Sequence, residues 1–349
     1  MLVQWAFIAK PSPWSAPNIL GLDRLSLYVI MTATEEYPSA LLGKMRHWQG
    51  IFPAVTTKFT SRDQIDVAEM ERCIALQVDA GVHGLVLAGS LGEGSSLDMI
   101  EKTEILKTAL RVAGGKIPIL MTVSNASTRE ACLFAEASAR NGADGLMVLP
   151  GIPYRSDPQE TEAHFRAVAQ AGGIPIMICN NANDSGVDMT PEFLARLADE
   201  PLFRAVKEAS GDLRRITRII NLTGDRYRLF AGTEPLALEG LIMGAGGWVA
   251  GLVAAFPRET VAIYRYAING HLAEARRIYR WFRPLLELSD SPKHVQNIKL
   301  VEFMVNGSSD RCRLPRQALS GEERSRVEKL LRYALASRAS LIMHPPAAE

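Results

Sequence analysis

The amino-acid sequence predicts an α/β fold, a single (β/α)₈ TIM barrel with a C-terminal three-helix appendage. Three observations carry this prediction. From Gly50 onward, short apolar runs alternate with longer amphipathic ones, the pattern of strands that cross over through helices into a parallel sheet. Several amphipathic runs close on glycine or Asn-Gly, where a left-handed helix cap costs little. No GxGxxG or P-loop follows the first strand, as an open doubly wound sheet would usually carry.

The first strand is read at GIFPAVTT from Gly50 and the second at HGLVLAG from His83, with the helical pattern VAEMERCIALQVDAG between them. DMIEKTEILKTALRVAG leads to IPILMTV from Ile117, and TREACLFAEASARNGADG leads to GLMVLP from Gly145. IPIMICN from Ile174, FRAVKE from Phe203, YRLFAG from Tyr227 and GWVAG from Gly247 complete the barrel. HLAEARRIYRWFRPLLEL, HVQNIKLVEFMVNG and GEERSRVEKLLRYALAS then read as the appended helices. The expected organisation is an irregular extension over 1–44, a barrel over 45–270 and the appendage over 271–349.

Pro11, Pro13, Pro17 and Pro38 break the extension, which sustains neither a strand nor a helix period and makes a poor signal peptide. The expectation is that it is disordered or untranslated, with translation starting at Met45 and leaving 349 − 44 = 305 residues. Mass spectrometry of the native amino terminus checks this, and peptides from Leu2 to Lys44 would refute it.

A chain of 349 residues, 47% hydrophobic and 22% charged, can bury one large core. Lysine plus arginine (39) against aspartate plus glutamate (38) gives a formal charge of +1, without a block of either sign. Nucleic acid and membrane surfaces are therefore poor partners, and a small molecule is expected. No apolar run reaches the roughly 18–20 residues of a membrane helix. Cys73, Cys132, Cys179 and Cys312 form no CxxC pair, which suits a reducing cytoplasm better than a disulfide framework or zinc site. His47, His83, His164, His271, His294 and His344 lack metal-ligand spacing, so no metal is expected.

Barrel chemistry belongs at the C-terminal strand ends. The sixth strand ends in AVKEASGDL, placing Lys207 at the mouth after apolar neighbours. A lysine amine is nucleophilic when neutral, and an apolar setting favours that form. The alternative is a structural ion pair with Glu93 or Glu208. The second strand ends in LAGSLGEGSSL, where the N–H groups of Ser90, Leu91 and Gly92 could bind a carboxylate and Ser90 could pass a proton. Such turns are also common for packing reasons alone, as is the glycine-rich run from Gly244 to Gly251.

The order GSLGE, NGADGLMVLP, IMICNN, VKEASGD and FAGTEPLALEGLIMGAGGWVAG resembles the dihydrodipicolinate synthase and N-acetylneuraminate lyase family over about Trp48 to Leu335. The resemblance implies a class I aldolase or lyase in which Lys207 forms a covalent imine with a 2-oxo acid, without metal or other cofactor. It matches Ser90 to the first hydroxyl of the family's Thr-Thr pair, and Gly89, Gly92 and Glu93 to the turn. With Leu91, Asp184, Gly232 and Gly247, these turn residues are the substrate-binding candidates. A homotetramer is also implied.

Two positions depart from the family. Cys179 stands where a Tyr-Asn-x-Pro strand supplies a proton-shuttling tyrosine, and Asp184 where the synthases bind a second carboxylate through arginine. Asp184 either repels a dicarboxylic partner or bonds a local turn. Tyr154 offers a hydroxyl to its own or a neighbouring subunit, or packs on Pro153, and Arg155 could steer a carboxylate. VDMTPEFLARLADEP, RRITRIINLTGDRY and AFPRETVAIY look like a branch acting on hydroxyproline-derived imino acids. Three readings stand: a lyase for a 2-oxo or cyclic imino acid, a weakened homologue that binds without turnover, and 4-hydroxy-tetrahydrodipicolinate synthase proper.

Overall fold

The structure, a computed structural model, describes residues 48–151 and 153–338, so the extension and the expected start at Met45 lie outside the described residues. Eight parallel strands form the sheet: β1 (Gly50–Pro53), β2 (Leu85–Leu87), β3 (Ile119–Val123), β4 (Gly145–Val148), β5 (Ile176–Asn180), β6 (Phe203–Glu208), β7 (Arg228–Ala231) and β8 (Gly247–Ala250). Their order is β1-β8-β7-β6-β5-β4-β3-β2, and the bridge Ala54↔Val86 joins the first strand to the second. Each predicted strand is present.

The crossovers are α1 (Val67–Asp79), α2 (Met99–Ala113), α3 (Thr128–Arg140), α4 (Pro158–Gly172), the short α5 (Ala182–Ser185) and α6 (Pro191–Arg196), α7 (Arg214–Thr223), and α8 (Ala237–Ile242). After β8 come α9 (Pro257–Ile268) and then the appendage, α10 (Leu272–Leu286), α11 (His294–Asn306) and α12 (Gly321–Arg338). Local chemistry sets the helix starts. Asp98 with Glu101 and Asp157 with Glu160 form reciprocal capping boxes, satisfying N–H groups that a first turn leaves unpaired. Barrel and appendage belong to one compact unit. Trp281 Nε1 donates to Ala334 O at 2.9 Å, and Arg338 pairs with the buried Glu259 of α9 at 2.6 Å.

The strand registers place the interior in layers. Partners climb about one residue per strand around a barrel of this shear, so a layer takes its side chains from alternate strands. Applied to the observed pairings, this puts Gly84, Gly145, Ala205 and Gly247 at the bottom, below Phe52, Leu120, Met177 and Phe230. Val86, Met147, Lys207 and Val249 come next, with Ala54, Thr122, Cys179 and Gly232 above them at the mouth. Glycines at the bottom make room for rings. A Cβ on Gly84 would lie 2.3 Å from Phe52 Cε1, and one on Gly145 2.3 Å from Trp48 Cζ2. Phe52 and Phe230 meet edge to face at 4.9 Å between centroids.

Gly247, a substrate-binding candidate, lies at a packed seam of the barrel. It begins β8 at the closed end of the barrel, below Lys207, and its missing side chain makes space for Phe230. A Cβ there would sit 2.4 Å from Phe230 Cε1 and 2.6 Å from Gly50 O. Gly247→Ala is expected to cost about 1–3 kcal/mol or more through overpacking at the β1–β8 seam. Urea denaturation checks it; an unchanged midpoint would contradict the packing assignment.

Candidate active site

Lys207 and Cys179 are Cα partners on adjacent strands, and both side chains point into the barrel. Lys207 is half-buried, and no hydrogen bond or ion pair joins it to another described residue. Its two suggested structural partners are engaged elsewhere. Glu208, on the opposite face of β6, accepts from Asn180 Nδ2 at 2.9 Å and from Ser210 N at 2.7 Å. Glu93 forms an ion pair with Lys299 of α11. Gly232 touches the lysine stem: a Cβ there would meet Lys207 Cγ at 2.9 Å and Ala209 Cβ at 2.6 Å. Glycine at this place leaves Lys207 free to lie along the mouth.

The second-strand turn rises beside this layer. Glu93 N donates to Ser90 O at 3.1 Å, Gly94 N to Gly89 O at 3.0 Å, and Thr57 Oγ1 to Gly92 O at 2.6 Å. A side chain on Gly92 would run into Val55 O at 2.8 Å. These contacts use the amides of Glu93 and Gly94, whereas those of Ser90, Leu91 and Gly92 carry no hydrogen bond to another described residue. Ser90 is exposed, Leu91 is buried, and the Leu91 side chain reaches the strand end at Gly251. Backbone N–H groups left unpaired in such a turn can take a carboxylate.

Glu93, a substrate-binding candidate, has both carboxylate oxygens engaged within the protein. Its side chain is wholly buried, with one oxygen on Lys299 and the other accepting from Arg313 N at 2.9 Å. Its backbone takes a left-handed conformation with φ +55°, which these contacts hold in place. Lys299 Nζ also donates to Arg311 O at 2.6 Å, and burial pushes its pKa down against the pull of Glu93. Three residues further along α11, Glu302 pairs with the equally buried Lys58 at 2.8 Å and accepts from Thr56 Oγ1 at 2.7 Å. The appendage is therefore fastened to the segments that follow β1 and β2.

Cys179 is enclosed, and burial raises its thiol pKa despite the opposing Lys207 charge. The group is thus a protonated thiol at neutral pH, able to donate weakly but a poor base. Asp184 lies exposed on α5 and accepts from Asn181 Nδ2 at 2.6 Å, while its charge also opposes ionisation of Cys179. It thus makes the local bond and still places a negative charge toward the site. Tyr154, the candidate hydroxyl of the fourth-strand loop, bonds a local carboxylate. It is 62% exposed and its hydroxyl turns to the Glu160 carboxylate at 3.0 Å, at the start of α4.

Sequence reading missed Glu234, just after β7. It is buried, accepts from Gly251 N at 2.8 Å and Leu252 N at 3.1 Å, and lies within the field of Lys207. The Thr-Glu-Pro following a strand was the available signal. Burial raises its pKa to about 7, outweighing the two N–H donors. No group of three or more His, Cys, Asp or Glu among the described residues could hold a metal ion. No helix among them is long and apolar enough to cross a membrane.

The model of the dihydrodipicolinate synthetase family matches residues 47–334. A 4-hydroxy-tetrahydrodipicolinate synthase of Methanospirillum hungatei is 32% identical over 81% of this chain and 98% of its own. One from Exiguobacterium sibiricum is 31% identical over 78% and 94%. Among solved structures, a dihydrodipicolinate synthetase, described as putative, from Pseudomonas aeruginosa superimposes with TM-score 0.77 at 30% identity, covering 82% of this chain and 99% of that one. A prophage protein of the same family from E. coli K12, in complex with pyruvate, gives TM-score 0.78 at 22% identity over 82% and 99%, a likeness of fold.

The Glu234 proton gives a test of the site's electrostatics. An unfolded chain ionises this carboxyl near its ordinary 4.5, the folded chain near about 7. Its stabilising contribution is complete below 4.5 and is lost as pH rises through about 7, amounting to roughly 3 kcal/mol at most. Glu234→Gln should flatten the fall of melting temperature across that window. An identical pH profile in both proteins would refute the shift.

Proposed function

The chain belongs to the dihydrodipicolinate synthetase family, and from that premise we propose that Lys207 forms an imine with pyruvate, another 2-oxo acid or a cyclic imino acid. Family membership makes it an aldolase-type lyase. The observation that carries the assignment to Lys207 is an inward-facing lysine at the barrel mouth with no carboxylate of the described residues paired to it.

In the proposed reaction, neutral Nζ adds to the C2 carbonyl, the carbonyl oxygen leaves as water, and a C=N bond forms. The protonated imine withdraws electrons from the adjacent carbon, which then loses a proton to give an enamine. The enamine adds to an electrophile, or the reverse steps release one; from a hydroxylated imino acid the same lysine supports loss of water and ammonia. Backbone amides of the Gly89–Gly92 turn hold the substrate carboxylate. This lysine chemistry needs no metal or organic cofactor, and the protein is proposed to work as a cytoplasmic homotetramer.

Asp184 and Cys179 favour a substrate other than that of the lysine-pathway synthase, because an electrophile bearing a carboxylate would meet the like charge of Asp184 and find no phenol at β5. The enclosed, protonated thiol of Cys179 favours a second reading, a homologue that binds a 2-oxo acid with little turnover. Incubation with pyruvate followed by borohydride is expected to fix one reduced adduct on the peptide containing Lys207, absent in Lys207→Ala. If no 2-oxo or imino acid is trapped, the lyase assignment falls. Trapping without product formation from any tested substrate would select the binding homologue.

A further inference from the structure

Thr122 of β3 sits in the uppermost interior layer with Cys179, directly above the layer of Lys207, and is 2% exposed. Its Oγ1 is buried and has no hydrogen-bond partner. Valine would fill the same space without leaving a hydroxyl unpaired, so this oxygen carries a cost that packing does not explain. The neighbouring turn fixes where it lies: a Cβ on Gly89 would be 3.3 Å from Thr122 Oγ1 and 3.8 Å from Met147 Cε. The hydroxyl therefore faces the turn whose amides await a carboxylate. In the loop after β3, Asn125 Oδ1 is a second buried polar atom without a partner.

We propose that Thr122 contacts the substrate and relays the proton during imine formation at Lys207, a task for which β5 offers only an enclosed thiol. This rests on the lyase reading above. When Nζ adds to the carbonyl carbon, a C–N bond forms and the π pair moves to oxygen, leaving a proton in excess on nitrogen and a negative charge on oxygen. The Thr122 oxygen accepts that proton as its own hydrogen passes to the alkoxide, giving a neutral carbinolamine and an unchanged threonine. A second proton, from solvent, then lets the oxygen leave as water while the nitrogen lone pair forms C=N.

The test compares Thr122→Val and Thr122→Ser by the rate of borohydride-trapped adduct after rapid mixing with pyruvate, together with thermal melting. Thr122→Val should form the adduct about 100-fold more slowly. It should melt no lower than the wild type, because it loses an unpaired hydroxyl. Thr122→Ser, which keeps the oxygen, should restore the rate. A Thr122→Val protein that labels at the wild-type rate overturns the relay. So does a loss of rate that tracks a lowered melting temperature and is not rescued by serine. An unlabelled wild type would instead remove the lyase reading itself.

Discussion

Two crossed ion pairs fix how the last quarter of the chain meets the barrel. Lys58 and Glu93, in the segments that follow the adjoining strands β1 and β2, take Glu302 and Lys299 from one face of α11, and all four side chains are wholly buried. A buried charge that loses its partner is left uncompensated, with a typical penalty of about 3–5 kcal/mol. The polarity is opposite in the two pairs, so sliding or reversing α11 would set like charges together. Phe59 adds to the fit, with Lys299 and Arg313 lying over its ring at 4.7 and 4.4 Å from the centroid. The helix is thereby held in one register, and with it the left-handed Glu93 and the turn that precedes it.

Much of the barrel was legible from periodicity, because parallel strands covered on both faces read as apolar runs between amphipathic helices. FRAVKE even matches the bounds of β6. Lys207 was legible for a related reason: a lysine closing an apolar strand must leave the core somewhere, and the mouth is the open end. Height within the barrel was not legible. Gly247 reads as part of a glycine-rich strand end, but the climb of register from strand to strand puts it at the bottom beneath Phe230. Nor could sequence reveal that Glu93 faces Lys299, since the two are 206 positions apart. Tyr154 illustrates a nearer competition, in which a capping carboxylate six residues away takes the hydroxyl.

The layer above Lys207 gives the site its chemical character. Ala54 and Gly232 leave space, Cys179 contributes a thiol held neutral by burial, and Thr122 contributes an oxygen with no internal partner. A buried carboxyl at Glu234 adds a proton that is held to unusually high pH. The polar groups around the lysine are thus distributed over β3, β5 and β7, and Asp184 adds a negative charge that acts on Cys179. One strand scaffold can support different electrophiles when such residues change while the lysine and the turn remain.

The crossed pairs also bear on how the protein is made. Glu93 leaves the ribosome 206 residues before Lys299, which at about 5–20 residues per second is a delay of roughly 10–40 s. Throughout that interval Glu93 and Lys58 lack their partners from α11, and each charge is better left in water than buried without them. A nascent chain carrying all eight strands would therefore still hold the segments after its first two strands open. The mouth acquires its final shape only when α11 has been synthesised, which makes assembly of the site a late event in the life of the chain.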